Sequence, residues 1–177
     1  VDGGTSLRFG VREKDLTKDI ANRLQVLLEA SSCEAVLTRN GDDTVSLRER
    51  AELANGAHAD LFVSIHVNWL PDSAARGVET YYAGPPDDPF LSRLAAAENQ
   101  GSGFSIADTR RLLDGVYADL REDQSLQLAE AVQRSLHDTL RQSNPRIVSR
   151  GVMTAPFVVL IATDMPAVLA EVACLSN

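Results

Sequence analysis

Little in this chain declares its class by abundance. Cysteine occurs only twice in 177 residues, at Cys33 and Cys174, far apart and in no CxxC pair. That excludes a disulfide framework; free cysteine is usually buried, so both are expected as buried thiols. Basic residues are outnumbered, 17 against 25 acidic, for a net charge of -8, which disfavours binding to nucleic acid. No apolar run approaches the ~18 residues of a membrane span. Internal repeats, low-complexity tracts and an HExxH motif are absent as well. Histidine occurs three times, at 58, 66 and 137.

What remains is ordinary. Hydrophobic residues make up 44% and charged residues 24%, the balance of a soluble globular domain. The length suits one domain with a substantial core. The chain opens abruptly at Val1-Asp2-Gly3-Gly4 and stops directly after an apolar run. This points to trimmed ends, so the lack of a targeting segment carries no weight.

Periodicity supplies the elements. Leu16, Ile20, Leu24, Leu27 and Leu28 predict a helix over 14–30 with one buried stripe. Glu34–Thr38 reads as a strand and residues 40–43 as a turn. Ser46-Leu-Arg-Glu49 is a capping box, starting a helix that runs to about Asn55 with Leu47, Ala51 and Ala54 inward. Asp60–Val67 is a nearly continuous apolar run, as in a strand covered on both faces. Gly77–Ala83, Phe157–Ala162 and Ala167–Ala173 read as further strands. Residues 124–141 form an amphipathic helix with Leu128, Val132, Leu136 and Leu140 on one face. Residues 84–123, including a helical piece at Ile106–Leu120, break the alternation and read as an insertion outside the sheet. The expected fold is α/β: a single domain with a mixed, mostly parallel sheet, helices on both faces and a helical insertion.

Three residues stand out chemically. His66 ends an apolar strand, where open α/β sheets place ligand sites, and a neutral imidazole there suits zinc; a half-buried histidine bonded to backbone is the plainer alternative. Glu171 lies within an apolar strand, where a carboxylate is costly unless paired or functional. It is either a general base with a raised pKa or an outward-pointing edge residue. Glu13 starts the first helix, where the dipole favours a carboxylate; it is also a candidate oxygen ligand. His58 and His137 read as surface histidines.

Several segments together resemble the zinc-dependent N-acetylmuramoyl-L-alanine amidases of the amidase-3 type. The resemblance rests on Glu13-Lys14-Asp15, Leu37-Thr38-Arg39, Ser46–Asn55 (SLRERAELAN), Ala59–Asn68 (ADLFVSIHVN), Gly77–Tyr81 (GVETY), Phe157–Leu160 (FVVL) and Met165–Asn177 (MPAVLAEVACLSN), in the family's order over nearly the whole of residues 1–177. It implies hydrolysis of the amide between muramic acid and the peptide stem of peptidoglycan, in cell-wall remodelling or daughter-cell separation. It implies Zn2+ held by Glu13 and His66, with Glu171 catalytic. The family's first zinc ligand, a histidine before Gly-Gly, is not in the chain, which reads Val1-Asp2-Gly3-Gly4. Either Pro-Gly-His is missing where Val1-Asp2 joins Gly3-Gly4, or Asp2 stands in the histidine position, as a weaker ligand or none. The second case implies a degenerate homologue that binds peptidoglycan or a partner without cutting.

The 84–123 stretch resembles the regulatory insertion of cell-separation amidases, in which a helical glutamate can occupy the open zinc position. Glu98, in Ala97-Glu98-Asn99-Gln100, corresponds to it. The resemblance implies autoinhibition relieved by an activator protein with a degenerate peptidase domain. It also implies a periplasmic or envelope location.

Overall fold

The computed structural model of the chain describes residues 12–68, 77–86, 88–115 and 122–174. Four strands, β1 (Phe62–Asn68), β2 (Val78–Ala83), β3 (Ser149–Ala155) and β4 (Ala167–Cys174), form one sheet in the order β1-β4-β2-β3. β1 runs parallel to β4, and β2 parallel to β3, while β2 and β4 are antiparallel. The sheet is therefore mixed, with two of its three pairings parallel, as expected.

The period of two along the strands sorts the side chains onto two faces. Phe62, Tyr81, Ala167 and Leu169 meet one helical layer, where Ala54, Leu91, Ala95, Val159 and Leu160 join them in the hydrophobic core. Tyr81 packs edge-on against Phe157, ring centroids 5.4 Å apart, a contact adding about 0.5–1.5 kcal/mol beyond the area it buries. The opposite face carries Thr80, whose hydroxyl donates to Gln133 of helix α5 (Glu122–Ser143) at 2.9 Å. Helices thus cover both faces.

Helix α2 (Leu47–Gly56) starts at the expected box: Glu49 N donates to Ser46 Oγ and Ser46 N to Glu49 Oε2. Ala51 and Ala54 are buried. In α5 the expected apolar residues are only half-buried, and the fully buried line is Ser125, Ala129 and Gln133. Ser125 accepts from Ala167 N, and Gln133 donates to Val78 O and Ser149 Oγ. Small and amide side chains let the helix approach strand ends that need hydrogen-bond partners, a need that hydrophobic periodicity does not report.

Four expectations are corrected. Phe157–Ala162 is not a strand; Val158–Ile161 is one helical turn, α6. An all-apolar run has no period to choose between the two forms. Here Asn99 decides, accepting from Val158 N at 2.8 Å and donating to Pro156 O at 2.9 Å. Residues 34–38 form no strand and join no ladder among the described residues; Gln25 holds the Ala35 carbonyl and Arg50 the Thr38 hydroxyl instead. Helix α1 (Glu13–Ala30) has no fully buried residue, and Leu24, Leu27 and Leu28 are exposed. It packs chiefly on β1, an edge strand among the described residues, and among those residues no further strand lies beneath its later turns. Cys33 is exposed, in the turn after α1, and only Cys174 is partly buried.

β3 was not foreseen. Ser149-Arg150-Gly151 interrupts any alternation, and the strand is assigned by its pairing with β2 rather than by its own pattern. The described residues of the 84–123 stretch contribute no strand, but helix α3 (Pro89–Glu98) puts Leu91 and Ala95 into the core. Helix α4 (Ile106–Gly115) follows and packs near α6.

Candidate active site

The site lies along one row of the sheet. Register sets His66 of β1 beside Glu171 of β4, Glu171 beside Glu79 of β2, and Glu79 beside Gly151 of β3. Partners across a ladder point to the same face, so one imidazole and two carboxylates are gathered by pairing alone. Two helix termini add to them. Glu13, the first residue of α1, accepts from His66 Nδ1 at 3.2 Å and from Val67 N at 3.3 Å. Glu98, the last residue of α3, places Oε2 at 3.6 Å from the same Nδ1. Glu13, His66, Glu98 and Glu171, all singled out in the sequence, are thus brought together. Asp2 lies outside the described residues. His58 is exposed, while His137 is half-buried on α5 beside Asp138.

The electrostatics are those of a cluster short of positive charge. Burial opposes protonation of His66 more than any other effect, yet the hydrogen bond to Glu13 and the charges of Glu171, Glu98 and Glu13 push its pKa up to about 9. Glu171 is pushed up to about 8, by burial first, with His66 opposing and Glu13, Glu98 and Glu79 adding. Both shifts reduce the net negative charge. A bound cation would do the same, displacing the imidazole proton and returning Glu171 to its ionised form. Glu171 is 3% exposed, and its Oε2 has no hydrogen-bond partner among the described residues. A buried carboxylate oxygen left so is costly.

An imidazole nitrogen and a carboxylate suit a divalent metal of the zinc type, and Glu13 and His66 are the residues that would hold it. Among the described residues no three His, Cys, Asp or Glu side chains form a metal cage on their own.

Glu79 was not singled out in the sequence, though a glutamate in the β-strand GVETY carried the same signal as Glu171. It is 2% exposed and fully engaged: Asn68 Nδ2 donates to Oε1 at 2.6 Å and Arg150 Nε to Oε2 at 2.7 Å. Asn68 therefore braces the site through Glu79. Arg50 braces the preceding loop, donating to Val45 O and Thr38 Oγ1. Burial, with the charge of Glu79, raises the pKa of the neighbouring Tyr81 hydroxyl and keeps it protonated.

The family model described as N-acetylmuramoyl-L-alanine amidase matches residues 1–177. The chain belongs to that family. Among relatives, it is 33% identical to the N-acetylmuramoyl-L-alanine amidase LytC of Bacillus subtilis over 168 residues, covering 95% of this chain and 26% of LytC. It is 28% identical to AmiA of Escherichia coli over 182 residues, covering 100% of this chain and 63% of AmiA. The chain thus spans less than two thirds of either relative. Among solved structures, the N-acetylmuramoyl-L-alanine amidase from Clostridium difficile 630 superposes with a TM-score of 0.70 at 29% identity, over 99% of this chain and 75% of that one. The α/β fold and the family agree with the expectation from sequence.

Proposed function

We propose that this chain is a zinc-dependent peptidoglycan amidase domain, spanning 1–177, that cleaves the amide between N-acetylmuramic acid and the L-alanine of the stem peptide. The observation that carries this reading is Glu171: a buried, unpartnered carboxylate oxygen on the strand beside His66. Family membership supports the same substrate. Glu13 and His66 would hold Zn2+, which when bound acidifies water and polarises a carbonyl. Glu171 accepts the proton of the attacking water and passes it to the departing amine. Its apolar surroundings keep its basicity near the working range. Glu79, tied to Asn68 and Arg150, holds the neighbouring strand end in place.

Glu98 is the regulatory residue in this reading, held near His66 by α3 so that it competes with substrate. Residues 84–123 then form the regulatory insertion. An activator protein with a degenerate peptidase domain would draw α3 away, in the periplasm or cell envelope, during wall remodelling or daughter-cell separation.

The test is release of stem peptides from purified sacculi. Activity is expected to vanish on chelation and return with Zn2+. A protein that binds sacculi but takes up no zinc at micromolar metal would instead be the degenerate binding module that Asp2 at the histidine position suggests.

A further inference from the structure

Arg150 reaches the row through Glu79 and takes no part in the proton transfers described above. Val78 pairs with Ser149 but Glu79 pairs with Gly151, so Arg150 is the extra residue of a bulge in β3. Bulges re-aim a side chain and are frequent beside active sites. This one lays the Arg150 stem across Gly77, whose φ is +134°; a Cβ there would lie 2.5 Å from Val148 O and 3.0 Å from Arg150 Cγ. Only glycine leaves room for that path.

The guanidinium is held by one edge. Nε donates to Glu79 Oε2 at 2.7 Å, while the other oxygen, Oε1, accepts from Asn68 Nδ2 at 2.6 Å. Nη1 and Nη2 have no hydrogen-bond partner among the described residues, and the side chain is 40% exposed. A guanidinium anchored through Nε presents its two terminal nitrogens as a fork matching a carboxylate. Anchoring removes much of the entropy cost of using it.

We propose that Arg150 is a specificity residue that binds a carboxylate of the substrate's peptide stem, on the leaving-amine side of the scissile bond; this rests on the amidase reading. The stem must run away from Glu171, which serves the departing amine. From β4 to β3 is two strand spacings of about 4.8 Å, and an extended peptide advances about 3.5 Å per residue. The carboxylate is therefore one carried by the second or third stem residue.

The experiment uses paired muramoyl peptides that differ only in bearing a carboxylate or a carboxamide at those residues. Wild-type protein is expected to prefer the carboxylate by about tenfold or more in kcat/KM, the worth of a charge-assisted hydrogen bond, with the difference in KM. Arg150→Gln should bring the ratio to near one, and Arg150→Lys to an intermediate value. Direct binding to the zinc-loaded Glu171→Gln variant should give the same ratio without turnover. Equal handling of the pair by wild-type protein, or a ratio unchanged in Arg150→Gln, overturns the assignment. Should Arg150→Gln not fold, an unchanged ratio in Arg150→Lys overturns it equally. If the Glu98→Ala protein, in which no helix carboxylate competes with substrate, cuts neither peptide, the amidase reading falls and the Arg150 assignment with it, whereas turnover with an equal ratio overturns Arg150 alone.

Discussion

Two of the regions that bring carboxylates towards His66, β4 and α3, are built differently. Glu171 sits on β4, hydrogen-bonded to β1 on one side and β2 on the other. Its place beside His66 is a matter of register, and moving it would break the sheet. Glu98 ends α3, which is held by Leu91 and Ala95 in the core and by the two hydrogen bonds of Asn99; the Glu98 side chain keeps 38% exposure. Those contacts belong to a helix end and not to the ladders of the sheet, and such elements open locally at lower cost than core strands. The difference suits the roles proposed: the strand residue for chemistry, which needs fixed geometry, and the helix residue for control, which needs a second state.

The largest expected effect is on the strand side. Glu171→Gln should lower kcat on sacculi by about 10²–10⁴-fold, while the melting temperature holds or rises, because an unpartnered buried carboxylate is removed. A clear fall in melting temperature would mean that Glu171 is a structural group, and the contrast between the two regions would fail. The next effect is on the helix side. Asn99→Ala strips partners from Pro156 O and Val158 N and should cost about 1–3 kcal/mol. Activity should rise several-fold as α3 loosens, and hydrogen exchange should quicken over 89–99 but not in β1 or β4. Equal loss of protection in β4 would show that α3 cannot move separately. The smallest effect calibrates both: Arg23→Ala removes an exposed ion pair with Asp19 and should change neither melting temperature nor activity measurably.

The legible parts of the molecule were those with local signals. The Ser46–Glu49 box, the apolar run of β1 and the spacing of α1 and α5 each carry their own reason to form. His66 and Glu171 were legible because a polar group in an apolar strand needs an explanation. Glu79 had that signal too and was passed over. Illegible were the features that depend on a distant partner. Phe157–Ala162 becomes a helical turn through Asn99, about sixty positions earlier in the chain, and β3 is a strand because β2 pairs with it. The burial of Ser125 and Gln133 follows from strand ends that need donors and acceptors.

The sequence by itself determined the family and the α/β class and drew attention to Glu13, His66, Glu98 and Glu171, since residue types in a given order survive without coordinates. The tertiary structure decided that these four meet. Only pairing across β1, β4 and β2 sets His66, Glu171 and Glu79 in one row, and only the bulge in β3 turns Arg150 toward them. Register is a relation between strands far apart in the chain, and no local pattern encodes it.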